Sequence, residues 1–277
     1  MAELGKVKLA LVQFGGELCE SVEPIERNVA HACELIAEAG AKGADLVVFP
    51  ELFNTGYQLN VIGPHINELT EPEDGPSVTA LRKAAAEAGV YVVAGIALFH
   101  GLTGVPFNSS VVIDRQGNLI ATYDKQHLWA LERFYFRGGD DSLVFQTDFG
   151  KVGVMICYDM GFPEVARTLT LRGADLIVCP SAWCAEDMDV WHINAPCRAL
   201  ENSVFLAAVN RYGEEQGLVM PGHTLVCNPR GGIIDELQEP GEAILYAEID
   251  LGDVEKNRVT SPYLRDRRPE LYEDVLL

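Results

Sequence analysis

The chain predicts a mixed α/β fold, and three observations carry that expectation. Two short apolar runs, at residues 46–49 and within 173–183, each reach a proline, at 50 and 180, the pattern of strands buried on both faces by covering helices. Each follows a segment of helical periodicity. The runs also echo one another: GADL, two β-branched or aliphatic positions, one variable residue and Pro recur at 43–50 and 173–180. That echo implies two related β-α halves whose strand ends face one cleft, where α/β proteins place their chemistry.

Taken in order, residues 7–14 read as a strand entering a core. A helix over 21–40 follows, with Val29, Ala32, Cys33, Ile36 and Ala37 on one face, Pro24 near its start and Gly40 at its end. The strand at 46–49 leaves Glu51 just past its carboxyl end. Asp74, Gly75 and Pro76 form a turn, Ser77 is placed to cap a helix over 78–88, and Gly89 stops it. A strand spans 90–97, and a hairpin joins 108–114 to 119–123, leaving Lys125 directly after its second arm. The aromatic-rich segment QHLWALERFYFRGGDD then leads to strands at 143–146 and 152–156. Cys157 stands at the elbow before a helix that starts at Pro163. Beyond the strand in 173–183 come a helix over 191–202 despite Pro196, a strand at 204–210, a hairpin at 224–228 and 231–236, and a strand at 243–249. From residue 251 the pattern dissolves into a locally basic tail.

A length of 277 residues permits one large domain or two small ones. With no linker to divide it, the chain is expected to form one domain over 1–277, its core over about 5–250 and the tail 251–277 packing on the body or a partner subunit. The 48% hydrophobic and 22% charged content is that of a soluble globular protein. A net charge of -20 opposes binding to nucleic acid or an anionic membrane. No run reaches the ~18 apolar residues of a membrane span, and residues 9–12 are too short for a secretory core. Seven cysteines with no C-x-x-C pair argue against a disulfide framework or zinc knuckle and point to a reducing cytoplasm.

Glu51, Lys125 and Cys157 place an acid, an ammonium and a thiol each just beyond an apolar strand. Their chemistry is complementary. A carboxylate can take the thiol proton, the sulfur can attack a carbonyl or nitrile carbon, and the ammonium can hold the charge that develops. A thiol at a strand end that faces a helix start is expected to lean toward thiolate. The chemistry calls for no metal or cofactor.

The segments FPELFNTGY around Glu51, YDKQHLW around Lys125, ERFYFRGGD around Glu132 and GVMICYDMGFPEVAR around Cys157 resemble the signatures of the nitrilase, or carbon-nitrogen hydrolase, superfamily. They occur in its order, with the likeness extending over residues 7–268. The resemblance implies a four-layer α-β-β-α sandwich, a Glu-Lys-Cys triad, a thioester acyl-enzyme from which ammonia leaves before water attacks, and dimers across the helices that follow Cys157 and Ala195. It implies Glu132 as a second carboxylate orienting Lys125 or the substrate, and the Tyr158 N–H as the partner of Lys125 in the oxyanion hole.

Relatives that act on acid-bearing substrates carry an arginine three or four residues after the nucleophile, where this chain has Met160 and Gly161. Arg211 is the substitute cation considered. Tyr158-Asp159 resembles the amidases rather than the nitrile-active branch. Tyr57, Phe134, Tyr158 and Trp183 are the expected pocket walls. The expected reaction is hydrolysis of a small neutral primary amide. The alternatives are an N-carbamoyl amine hydrolase, since ERFYF resembles the N-carbamoylputrescine amidases, a nitrilase, or a small-molecule-binding protein on the same scaffold. His127, His192 and His223 have no cysteine-protease context, and Gly15-Gly16-Glu17 does not supply a dinucleotide fingerprint.

Overall fold

The computed structural model describes residues 5–276. Three parallel strands, β1 (Lys6–Gln13), β2 (Leu46–Val48) and β3 (Tyr91–Phe99), form the middle of one six-stranded sheet. Antiparallel β4 (Pro106–Ile113) and β5 (Leu119–Asp124) extend it on one side, and the last strand, β14 (Ala243–Asp250), closes the other. The second six-stranded sheet repeats this plan. β7 (Lys151–Val154), β8 (Leu176–Ser181) and β9 (Phe205–Asn210) are parallel, with β6 (Leu143–Gln146) at one edge and β12 (Leu225–Cys227) and β13 (Ile233–Glu236) at the other. A separate hairpin joins β10 (Tyr212–Glu215) to β11 (Leu218–Pro221).

Helices α1 (Val22–Ala41) and α2 (Pro76–Ala88) cover the first sheet; α3 (Pro163–Leu171) and α4 (Met188–Asn202) cover the second. The layers follow from side-chain periodicity. Along β1, Leu9 and Leu11 point into the core shared with the second sheet, whereas Ala10 and Val12 point into the core beneath α1 and α2. On α1, Ile25, Val29, Ala32, Ile36 and Ala39 return every three or four residues to meet them. Each fully buried Leu, Ile or Val adds roughly 1.5–3 kcal/mol of transfer free energy. β2 and β8 are buried throughout, as expected of strands enclosed on both faces.

The repeated GADL sequence has a structural cause. Asp45 accepts from the Lys8 N–H at 2.9 Å and offers its carbonyl to the Tyr91 N–H at 2.9 Å. Asp175 does the same with the Lys151 N–H at 3.4 Å and the Phe205 N–H at 3.0 Å. In each half this aspartate pins the start of the second parallel strand between its neighbours.

Two expectations need correction, and the short helical turns over 59–69 and one hairpin went unforeseen. Gly75 rather than Ser77 caps α2, with Pro76 in the first turn, and the Ser77 N–H is held instead by Glu71 Oε2 at 2.8 Å. The pattern does not dissolve at residue 251: α5 (Gly252–Thr260) follows β14 directly. Only Val254 and Asn257 of α5 are buried, too few for a periodic signal, yet Asn257 Nδ2 donates to the Pro229 carbonyl at 2.8 Å and Arg258 to that of Ala174 at 3.1 Å. The β10–β11 hairpin carries Glu214 and Glu215 and lacks the alternation that would mark it as strands. Among the described residues, no helix is long and apolar enough to cross a membrane.

Candidate active site

Glu51, Lys125 and Cys157 all sit at the carboxyl side of strands. Beyond β2 the chain folds over β3, where Gly95 makes room: a Cβ there would stand 2.6 Å from both Glu51 Cα and the Pro50 carbonyl. The Phe53 N–H fastens this turn to the Gly95 carbonyl at 2.9 Å. Lys125 follows β5 and is held by its N–H to the Asn108 carbonyl at 2.9 Å. Cys157 opens a single 3-10 turn, Cys157–Gly161, between β7 and α3, with φ at +48°, a conformation that non-glycine residues adopt only under constraint.

The charged side chains converge. Lys125 Nζ donates to Glu51 Oε1 and to Glu132 Oε1, each at 2.7 Å, and all three side chains are fully buried. Asn108 Nδ2 donates to Glu51 Oε1 at 2.7 Å, and the Ala182 N–H donates to Glu51 Oε2 at 2.9 Å. Glu132 accepts from the Tyr57 hydroxyl at Oε1 and from the Trp129 N–H at Oε2, the latter at 3.0 Å. Burial pulls the Lys125 ammonium toward deprotonation, but Glu132 and Glu51 outweigh it and hold the group well above its usual range. Burial raises the Glu132 carboxyl, with Lys125 opposing.

Cys157 corrects an expectation. Burial and then the Glu51 carboxylate push its thiol well above the ordinary 9.0, and Lys125 offsets this only in part. Burial thus favours the thiol over the thiolate, opposite to the direction expected from a helix start.

A cavity of about 410 Å³ opens above Cys157, walled by Tyr57, Trp129, Tyr158 and Trp183, with Asp187 and Asn194 among its few polar groups. Three of the four expected walls are thus in place. Phe134 is not: it is 81% exposed on the outside of the single turn Glu132–Tyr135. Successive helical residues rotate by about 100°, so a turn that faces Glu132 inward faces residue 134 outward. Arg211 is likewise no clamp. It is fully buried, donating to Glu215 Oε1 at 2.6 Å and to the Leu52 carbonyl at 3.1 Å, while Glu215 holds the Tyr57 N–H at 2.6 Å.

Sequence reasoning missed Asn108, Asp159 and the polar wall residues. Asp159 is buried and accepts from the Tyr123 hydroxyl at 2.7 Å, the Ile156 N–H at 3.0 Å, and the N–H and Nδ1 of His127, both at 2.9 Å. His127 thereby acquires a structural part, its ring stacked on Phe162 at 3.7 Å. The position of Asp159, two residues after Cys157, was the available signal.

Comparisons with known proteins place the chain in a family. The carbon-nitrogen hydrolase family model matches residues 8–259. A nitrilase of Pyrococcus abyssi is 40% identical over 269 residues, covering 96% of this chain and 99% of that one. An N-carbamoylputrescine amidase of Arabidopsis thaliana is 34% identical over 275 residues, covering 92% and 91%. A crystallised mutant of the amidase from Nesterenkonia sp. AN1, with the acetamide moiety of fluoroacetamide added covalently at its active-site cysteine, superposes with a TM-score of 0.84 at 27% identity, covering 98% and 97%. Fold, motifs and relatives agree that this chain belongs to the carbon-nitrogen hydrolase family, within the nitrilase superfamily, and is a carbon-nitrogen hydrolase.

Proposed function

We propose that the protein is a cysteine-dependent amidase that converts a small primary amide to its acid and ammonia through a thioester. The observation that carries this reading is the buried Glu51–Lys125–Glu132 network beside Cys157 at the floor of a cavity with aromatic walls. Glu51 takes the thiol proton as Cys157 Sγ attacks the carbonyl carbon. Lys125 Nζ and the Tyr158 N–H hold the oxyanion, the N–H because the first amides of a helical turn have no partner within it. Collapse breaks the C–N bond, and Glu51 returns the proton to the departing ammonia. Water then attacks the thioester, Glu51 taking its proton and the carboxylic acid leaving with the thiol restored. Glu132 and Asn108 keep Lys125 and Glu51 in register.

Ammonia release from a panel of amides, carbamoyl amines and nitriles tests the assignment. Turnover of primary amides, abolished in Cys157→Ala, is expected. Ligand-induced stabilisation with no turnover of any class would favour a binding protein instead.

A second reading rests on Asp187. The cavity lining brings a carboxylate and no arginine or lysine, which suits a substrate with a cationic tail such as a carbamoyl amine. Asp187→Asn should then lower kcat/KM for amine-bearing substrates by about tenfold, the loss of one charge-assisted contact, and leave neutral amides unchanged. Equal effects on both classes would remove this reading.

We also infer that two copies associate across α3 and α4, in a reducing cytoplasm where a catalytic thiol stays reduced. Leu171, Ile193 and Leu200 support the interface: these apolar side chains on the two helices are 54%, 60% and 38% exposed. Light scattering of the purified protein, with Ile193→Glu as the disrupting variant, decides between dimer and monomer.

A further inference from the structure

Away from the triad, His192, His223 and Glu236 bring two imidazoles and a carboxylate together, with one ligand atom of each within 4.8 Å of the others. His192 Nε2 and His223 Nδ1 both lie 2.8 Å from Glu236 Oε1. The far side of His192 decides what this means. Its Nδ1 lies 2.8 Å from the Met188 carbonyl, one turn back along α4. A carbonyl can only accept, so Nδ1 carries the hydrogen, and in the neutral ring Nε2 presents a lone pair to the carboxylate. Two acceptors at that distance repel unless a proton or a metal ion stands between them. A ring N–H held by a backbone carbonyl is also how proteins orient a histidine that ligates a metal.

We propose that His192, His223 and Glu236 bind a divalent transition-metal ion, zinc first. Two imidazole nitrogens and one carboxylate oxygen suit zinc, leaving a fourth position for water. Ligands on tetrahedral zinc stand about 3.3 Å apart, so each imidazole nitrogen needs to draw back from Glu236 Oε1 by about half an ångström. All three side chains retain solvent contact, and His223 also lines a surface cavity of about 410 Å³ that gives the ion a route in. The site joins α4 to the β13 strand. Trp191 links it to the active site, donating from Nε1 to the His223 carbonyl at 3.0 Å while its ring lies 5.5 Å from that of Trp183 in the cavity wall. The ion would thus brace the helix that contributes Val190 and Asn194 to the cavity, without taking part in the reaction.

Zinc titration of the metal-stripped full-length chain tests this, with Cys157→Ser as the background so that the catalytic thiol cannot ligate. Calorimetry should give one equivalent per chain, and the melting temperature should rise on loading. His192→Ala and His223→Ala should each weaken binding by more than the roughly 10–100-fold that loss of an orienting partner costs. Cobalt(II) bound to the unaltered three residues should give visible absorption that zinc abolishes, a readout independent of how the variants fold. No zinc binding, or binding unchanged in both histidine variants, would overturn the proposal and leave the cluster as a protonated ion pair.

Discussion

The Tyr123 hydroxyl donates to Asp159 Oδ2 at 2.7 Å, joining the strand that delivers Lys125 to the turn that delivers Cys157. The two residues are 36 positions apart, and each stands two positions from a residue of the site, Lys125 or Cys157. Asp159 receives three further hydrogen bonds from Ile156 and His127, so it acts as the joint between the segments that carry Lys125 and Cys157.

Asp159→Ala therefore leaves several buried donors without an acceptor and is expected to destabilise the fold by about 3 kcal/mol or more. Tyr123→Phe removes one bond and should cost about 1 kcal/mol. Urea unfolding measures both. A fall in kcat for Tyr123→Phe with KM nearly unchanged would mark Tyr123 as a positioning residue.

Cys157→Ala is expected to release no ammonia while keeping its circular dichroism and melting behaviour. Because burial raises the thiol above 9.0, the folded state keeps a proton that the unfolded state gives up as pH rises past that value. Wild-type stability should then decline relative to Cys157→Ala above pH 9.0. The ultraviolet absorbance of thiolate, taken as a difference between the two proteins, should be absent at neutral pH.

Lys125→Met strands two buried carboxylates, Glu51 and Glu132. It is expected to cost about 3–5 kcal/mol of stability and, with the oxyanion contact gone, on the order of 10²–10³ in kcat. The folded-state ammonium titrates above the ordinary 10.5, so its contribution is complete below that pH and lost as pH rises through the folded value. The stability gap between wild type and variant should narrow only in that alkaline range.

Gly95→Ala places a methyl group 2.6 Å from the Glu51 Cα and the Pro50 carbonyl, both backbone atoms that cannot yield by changing rotamer. Overpacking of this kind costs about 1–3 kcal/mol. Thermal melting should show the loss, and kcat should fall with it if Glu51, whose Cα is displaced, is the base as proposed.

Much of the fold was legible because burial writes itself locally. An apolar run such as that around β2, or the three-and-four spacing of α1, states where water is excluded. Short elements with few buried contacts, α5 and the β10–β11 hairpin, left no such record. Glu51, Lys125 and Cys157 were legible as three chemically complementary residues at strand ends, and Glu132 through its motif. Phe134 was misread because a motif states which residues recur and not which way each one turns.

By itself, then, the sequence determined most of the strands and helices, the family signature and which acid, ammonium and thiol stand at the strand ends. Only the tertiary structure decided that Arg211 braces the Tyr57 loop, that Asp159 locks the elbow, and that Cys157 is buried beside a carboxylate. The physical reason is range. Hydrophobic periodicity is a property of neighbouring residues, whereas desolvation and hydrogen-bond partnership at the site arise largely between groups brought together from as much as 159 positions apart.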